Sequence, residues 1–175
     1  MQLLRRLSLG LLWLLAGVGI LCGLVWGATA AGVIKPLVVI SGSMEPGIMT
    51  GDLLIATKAD TADLRVGDVV SLPSELTESL VTHRIESIEQ TGTGQFAISM
   101  KGDNNEFSDA LDYAVGASVW KPTAQLAGMG TVVTRITTPA VVMPLLIGLG
   151  SLLGLSLLIP PAPQRRAHSA VAVNP

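Results

Sequence analysis

Cysteine, charged residues and aromatic residues are all scarce in this chain of 175 residues. The one cysteine, Cys22, excludes a fold held together by internal disulfide bonds. Charged residues make up 14% of the chain, whereas an ordinary soluble protein has about 25%. The net charge is −2 without a basic block, which argues against nucleic acid as a partner. At 49% hydrophobic residues, the chain is also too apolar to be disordered.

Two long runs without charge predict transmembrane helices. The first run, Leu7 to Ile34, exceeds the ~20 residues that a helix needs to cross a bilayer. The second has an apolar centre from Ala140 to Ile159. We therefore predict spans over residues 7–34 and 139–161. A cleaved signal peptide is the alternative for the first run, but the apolar region of such a peptide has only about 7–15 residues, which favours a permanent anchor.

The charges that flank the two runs predict the orientation of the chain. Two arginines precede the first run and two follow the second, so both termini, residues 1–6 and 162–175, are predicted to be cytoplasmic. Residues 36–138 then lie outside the cytoplasm as one domain, and a plasma membrane is the expected location. This domain carries all 13 acidic residues, so the helices rather than lipid headgroups are expected to anchor it.

The domain between the spans is predicted to be mostly β. Short apolar runs alternate with glycine and proline turn signals, a spacing typical of a β-sandwich or barrel. Thr91 to Gly94 is interpreted as a hairpin turn. The predicted strands are Leu37–Ile40, Asp52–Thr57, Val66–Leu72, Leu80–Ile88, Phe96–Met100, Ala114–Trp120 and Thr131–Ile136.

The segment from Ser41 to Gly47, Ser-Gly-Ser-Met-Glu-Pro-Gly, is the first candidate for chemistry. Small residues around Ser43 allow a sharp turn that exposes its hydroxyl. Backbone N–H groups at such a turn can converge on one point, as an oxyanion hole requires. A plain surface loop is the alternative that composition alone leaves open.

The second and third candidates are a histidine and a group of aspartates. His83 is the one histidine of the predicted outer domain, and a neutral imidazole can act as the base that a nucleophilic serine needs. Asp103 follows Gly102, and Asp109 and Asp112 come soon after. Such an aspartate can orient an imidazole, or it can simply form a turn. Calcium binding is disfavoured because the alternating ligands and the terminal glutamate of an EF-hand are absent.

Taken together, these motifs resemble type I signal peptidases of the endoplasmic-reticulum-like branch, the W type with a serine and a histidine. The resemblance covers most of the chain and lies in five motifs that occur in the family's order. They are Ser-Gly-Ser-Met-Glu-Pro at 41–46, Gly51-Asp52, Gly67-Asp68-Val69-Val70, Thr82-His83-Arg84, and Lys101-Gly102-Asp103-Asn104-Asn105 with Asp109. The resemblance implies the small β catalytic fold of these enzymes, set between two transmembrane helices.

The resemblance also implies a role for each site residue. Ser43 corresponds to the nucleophile, and His83 stands where the ordinary bacterial branch has a lysine base. Asp109 matches the triad aspartate and Asp103 a second important acid, although which of them contacts His83 stays open. Ser41 matches a position whose hydroxyl assists the oxyanion hole beside the Ser43 N–H.

The same resemblance extends to substrate and partners. The implied reaction removes signal peptides from secretory preproteins, cutting after small residues, with the lipid bilayer as a partner and with no cofactor or metal. Met44 and Ile48 are candidates to line the pockets for those small residues. Partner subunits or self-association through the glycines of the second span stay undetermined.

Three other hypotheses are weighed against this one. A non-catalytic, membrane-tethered β domain for adhesion or assembly would have no need of the full serine, histidine and aspartate set. A related self-cleaving repressor would need a DNA-binding motif and a lysine base, which this chain lacks. A dedicated peptidase for a few surface or biofilm proteins cannot be separated from a general one by sequence.

Overall fold

The structure is a computed structural model that describes residues 2–158, and within them helices flank a β domain. The elements are α1 (Gln2–Ala30), β1 (Ile34–Val38), β2 (Leu53–Asp60), a short 3-10 helix (Thr61–Asp63), β3 (Val69–Ser74), β4 (Ser79–Gly92), β5 (Gln95–Lys101), β6 (Tyr113–Val115), β7 (Ser118–Leu126), α2 (Met129–Ile136) and α3 (Pro139–Leu158). The chain divides into two compact units between residues 133 and 134, and each is described by itself.

From Trp13 to Ala30, helix α1 is apolar and leaves most of its side chains exposed. Trp13 and Trp26 are 77% and 75% exposed, as expected of a surface made for lipid rather than for a protein core. The segment Trp13–Ala30 is long and apolar enough to cross a membrane. The helix begins at Gln2 and ends at Ala30, so it starts and stops earlier than the predicted span over residues 7–34.

A glycine in the left-handed conformation explains why α1 stops before Ile34. Gly32 has a φ of +67°, which costs a residue without a side chain little. Its N–H donates to the carbonyl of Thr29, and the N–H of Val33 donates to the carbonyl of Ala28. This pair of bonds is the Schellman motif, which closes the last turn of a helix. The chain then enters β1 at Ile34.

The seven strands that the described residues contain form one antiparallel sheet, in the order β1-β2-β7-β3-β4-β5-β6. The mostly β domain is therefore confirmed, and the predicted hairpin turn joins β4 to β5, where Gly92 pairs with Gln95. The predicted strand Ala114–Trp120 is two strands, β6 and β7, separated at Gly116 and Ala117. The main buried cluster consists of Leu64, Val70, Leu72, Ile85, Ile98, Met100 and Val119.

The predicted strand Thr131–Ile136 is wrong, because these residues belong to helix α2. Their β-branched side chains favour a strand, but tertiary contacts override that preference. The N–H of Thr131 donates to the carbonyl of Gly51, and the N–H of Gly128, just before the helix, donates to the Asp52 carboxylate. The first N–H groups of a helix have no acceptor within the helix, and here the loop with Gly51 and Asp52 provides acceptors for them.

Helix α3 covers most of the predicted second span. It runs over Pro139–Leu158 and contains Pro144. Residues 159–161 of that span, the tail with its two arginines, and His168 lie outside the described residues. Taken together as one broken helix, α2 and the first half of α3 are long and apolar enough to cross a membrane. A second crossing of the membrane therefore stays a prediction.

Candidate active site

Ser43 lies on a loop, residues 39–52, that hydrogen bonds hold from both ends. Val39 exchanges backbone bonds with Asp52 and Gly51 at 2.9 and 2.8 Å. Inside the loop, the side chain of Met44 is only 2% exposed and acts as an apolar anchor. The Ser43 carbonyl accepts from the N–H of Asn104 at 2.8 Å. The turn that carries Ser43 is thus fixed to the segment that follows β5.

His83 lies on β4, where the alternation of a strand turns it inward. It is 7% exposed, and its neighbour two residues on, Ile85, is 1% exposed, while Arg84 between them faces outward. Its register partner on β3 is Val70. A histidine on a paired strand has little freedom to move, so its ring is held in one orientation.

Asp109 comes from the irregular segment between β5 and β6, and it reaches the same histidine. Its two carboxylate oxygens lie 2.9 and 2.8 Å from Nδ1 of His83. Its backbone N–H donates to the carbonyl of Met100 at 2.9 Å, which ties the segment to the end of β5. The aspartate that contacts His83 is therefore Asp109 and not Asp103.

Nε2 of His83 lies 3.0 Å from Oγ of Ser43, which completes a chain of three polar side chains. Because a carboxylate only accepts, Nδ1 of His83 must carry the ring proton, and Nε2 is left to accept from the Ser43 hydroxyl. A hydroxyl that donates to a neutral imidazole is arranged for attack on a carbonyl carbon. The three side chains thus have the relative positions that a nucleophile, its base and an orienting acid require.

Ser41 lies beside this chain, with its Oγ 3.3 Å from Oγ of Ser43. Ser43 has one hydroxyl proton, and when that proton points to His83, Ser41 must be the donor in the contact between the two serines. Its hydroxyl therefore lies next to the oxygen of Ser43. The other predicted donor, the backbone N–H of Ser43, belongs to the same turn.

Asp103 contacts Arg84 rather than the histidine. Nε and Nη2 of Arg84 donate to its two oxygens at 2.8 and 2.7 Å, and Nη1 donates to the carbonyl of Gly67. These hydrogen bonds lower the pKa of Asp103 below its ordinary value of 3.8. The ion pair ties the segment after β5 to Arg84 on β4, and the bond from Arg84 to Gly67 ties β4 to the turn before β3.

A hollow of about 340 Å³ opens beside Ser43 and His83. Met44 and Ile48 both line it, together with apolar residues of β1 and the start of β4, among them Leu37 and Leu80. A second hollow, of about 510 Å³, lies on the other side of His83, along Asp109 and Tyr113. Among the residues that the structure describes, no cluster of histidine, cysteine and acidic side chains could hold a metal ion.

The sequence interpretation missed two residues that touch the site, Tyr113 and Ser74. The Tyr113 hydroxyl donates to Oδ2 of Asp109 at 2.8 Å, and Ser74 and Tyr113 both line the hollow along Asp109. Tyr113 is the one tyrosine of the chain and comes four residues after Asp109. That short separation is the only signal in the sequence that could have suggested the contact.

Comparison with curated proteins finds relatives among the catalytic subunits of signal peptidase complexes. The chain is 34% identical over 92 residues to "Signal peptidase complex catalytic subunit SEC11C" of Homo sapiens, which is 53% of this chain and 47% of that protein. It is 40% identical over 80 residues to "Signal peptidase complex catalytic subunit sec11" of Dictyostelium discoideum, which is 46% of this chain and 44% of that protein.

The matched part of the chain is thus homologous to catalytic subunits of signal peptidase complexes. No family model matches the chain. The chain spans about half the length of the curated relatives that it matches.

Proposed function

We propose that this protein is a membrane-bound serine endopeptidase that removes signal peptides from secretory preproteins. The observation that carries the proposal is the unbroken contact from Asp109 through His83 to Ser43, at 2.8 and 3.0 Å. The homology to signal peptidase catalytic subunits supports the choice of substrate class. The apolar helix α1 supports attachment to a membrane.

The proposed reaction is an acyl transfer in two stages. His83 takes the hydroxyl proton of Ser43 as Ser43 attacks the scissile carbonyl carbon, and Asp109 stabilises the imidazolium that forms. The backbone N–H of Ser43 and the hydroxyl of Ser41 stabilise the oxyanion. His83 then gives the proton to the leaving amine, and the acyl-enzyme remains. A water molecule, activated by His83, attacks the acyl carbon, releases the signal peptide and restores Ser43.

The hollow beside Ser43 supports a preference for small side chains before the cut. Met44 and Ile48 line it and are proposed to shape the pockets for those residues. Because Met44 is almost completely buried, it closes the floor of the hollow rather than moving aside for a large side chain.

The proposed topology has two spans, both termini in the cytoplasm and the β domain outside, with the plasma membrane as the location. Helix α1 and the strand β1 are separated by only three residues, so the sheet begins where the apolar helix ends. Cleavage sites emerge from the same bilayer, and anchoring enzyme and substrate in one membrane raises their effective concentration. Whether the enzyme serves many preproteins or a few surface proteins is decided by the range of substrates that it cuts.

The test compares four full-length proteins in mild detergent: the wild type, Ser43→Ala, His83→Ala and the control Ser87→Ala. Ser87 is exposed on β4, away from the proposed catalytic residues. We expect the wild type and Ser87→Ala to cleave a preprotein with an alanine-rich site, and Ser43→Ala and His83→Ala to be at least ~10³-fold slower, since each removes a member of the triad. Cleavage by Ser43→Ala at the wild-type rate would contradict the proposal.

A further inference from the structure

Tyr113 contacts the proposed triad from behind, and the proposed mechanism does not use it. The Tyr113 hydroxyl donates to Oδ2 of Asp109 at 2.8 Å, the same oxygen that lies 2.8 Å from Nδ1 of His83. Ser74, which is 8% exposed at the end of β3, lines the same hollow as Tyr113 and Asp109. One carboxylate oxygen is thus shared by the imidazole and the phenol.

The elements that carry these groups differ in how firmly the backbone holds them. Asp109 lies in the irregular segment between β5 and β6, whereas Tyr113 is paired with Ile98 in the sheet. Ile98 is fully buried, and Tyr113 packs against the main core cluster. In the described residues, the Asp109 side chain forms hydrogen bonds with His83 and with Tyr113. The phenol therefore connects a carboxylate on a loop to the rigid part of the sheet.

We infer that Tyr113 is a positioning residue that fixes the Asp109 carboxylate against His83 for the proposed reaction. The inference rests on the proposed function, because a carboxylate needs a fixed orientation only if His83 must keep its proton on Nδ1. Without the phenol, the carboxylate can rotate away from Nδ1, and its negative charge is no longer shared with a second donor.

The raised pKa of the Tyr113 phenol agrees with its contact with Asp109. Burial, followed by the hydrogen bond to the negative Asp109, raises the pKa of Tyr113 to about 12. The phenol therefore keeps its proton over the whole range in which an imidazole can act as a base. It is a permanent donor to Asp109 and takes no part in proton transfer.

The decisive experiment measures Tyr113→Phe, which removes one oxygen atom and keeps the ring in the core. We expect kcat to fall about tenfold, the loss of one hydrogen bond to a charged group, with KM unchanged. A wild-type kcat in Tyr113→Phe would overturn the inference.

A double-mutant cycle separates positioning from a general effect on packing. If Tyr113 acts through Asp109, adding Tyr113→Phe to Asp109→Ala lowers the remaining kcat no further. An additional tenfold loss in the double variant would show that the tyrosine acts by another route and would contradict the inference. The wild type cleaves the preprotein in either case, so this failure is distinguishable from a failure of the proposed function.

A direct readout of the contact needs no catalysis. Because the chain has one tyrosine, the tyrosinate absorbance of the full-length protein follows Tyr113 alone. In Asp109→Asn the repulsion between the carboxylate and the tyrosinate is gone, so the titration should move from about 12 toward the ordinary value of 10.0. An unchanged titration would show that the phenol does not contact the carboxylate.

Discussion

At the scale of single residues, the site is a chain of hydrogen bonds through Asp109, His83 and Ser43, and the donor of each bond can be assigned. The carboxylate of Asp109 fixes the tautomer of His83, and that tautomer in turn makes Ser43 the donor to Nε2. Ser41 is left as the donor to Oγ of Ser43. The direction of every hydrogen bond in this chain follows from one fact, that a carboxylate can only accept.

The proposed role of Ser41 gives a prediction at this scale. In that proposed role Ser41 donates to the developing oxyanion, so in Ser41→Ala kcat should fall about 10²-fold while KM stays within about twofold of the wild type. Steady-state kinetics on a soluble peptide substrate measures both values, with Ser87→Ala as the matched exposed serine. An equal loss of kcat in Ser41→Ala and Ser87→Ala would contradict the role in the oxyanion hole.

At the scale of elements, the site depends on how closely the loop with Ser43 approaches the segment after β5. A Cβ atom built on Gly102 would lie 2.6 Å from the Ser43 carbonyl oxygen and 2.8 Å from Nδ2 of Asn105. Contacts of that length do not occur, so the backbone has room for glycine only. Asn104 adds two bonds across the same gap, to the carbonyls of Ser43 and Gly42. The two segments therefore hold each other in place.

Gly102→Ala tests this close approach. The added methyl group must push the Ser43 loop away from β5, and we expect kcat to fall at least ~10-fold because small displacements of a nucleophile are costly. Gly116→Ala is the matched control, since a Cβ atom there meets nothing within 4 Å. Full activity in Gly102→Ala, at an unchanged thermal midpoint, would show that the loop does not depend on this contact.

The sequence predicts most of the strands and the candidate residues Ser43 and His83. It does not decide whether Asp103 or Asp109 contacts His83. Both aspartates follow β5 within a few residues, and only the path of the irregular segment directs Asp103 to Arg84 and Asp109 to His83. Helix α2 was missed for a related reason. Its residues favour a strand, and the contact of Thr131 with Gly51, 80 positions earlier in the sequence, cannot be seen in any local pattern.

At the scale of the whole molecule, carboxylates with lowered pKa values hold distant parts of the sheet together. Lys121 on β7 lowers the pKa of Asp68, which lies just before β3, through an ion pair of 2.8 Å. Arg84 lowers the pKa of Asp103, and backbone N–H groups of Gly128 and Met49 lower that of Asp52. All three groups act between segments far apart in the chain.

These groups predict how stability depends on pH. A carboxylate whose pKa is lower in the folded state stabilises the fold above its unfolded value, here 3.8. That contribution disappears as pH falls through the lower folded value. We expect the thermal midpoint of the full-length protein to drop below about pH 4. The midpoints of wild type and Asp68→Asn should differ at neutral pH and converge in acid, and a constant difference across this range would contradict the explanation.

The central claim is that Ser43 cleaves preproteins just after a small residue, and N-terminal sequencing of the product tests it most directly. Full-length wild type and Ser43→Ala, purified in mild detergent, are incubated with the same secretory preprotein. The account predicts one new N-terminus, directly after a small residue at the end of the signal peptide, and none with Ser43→Ala. Cuts at several unrelated positions, or the same new N-terminus with Ser43→Ala, would contradict it.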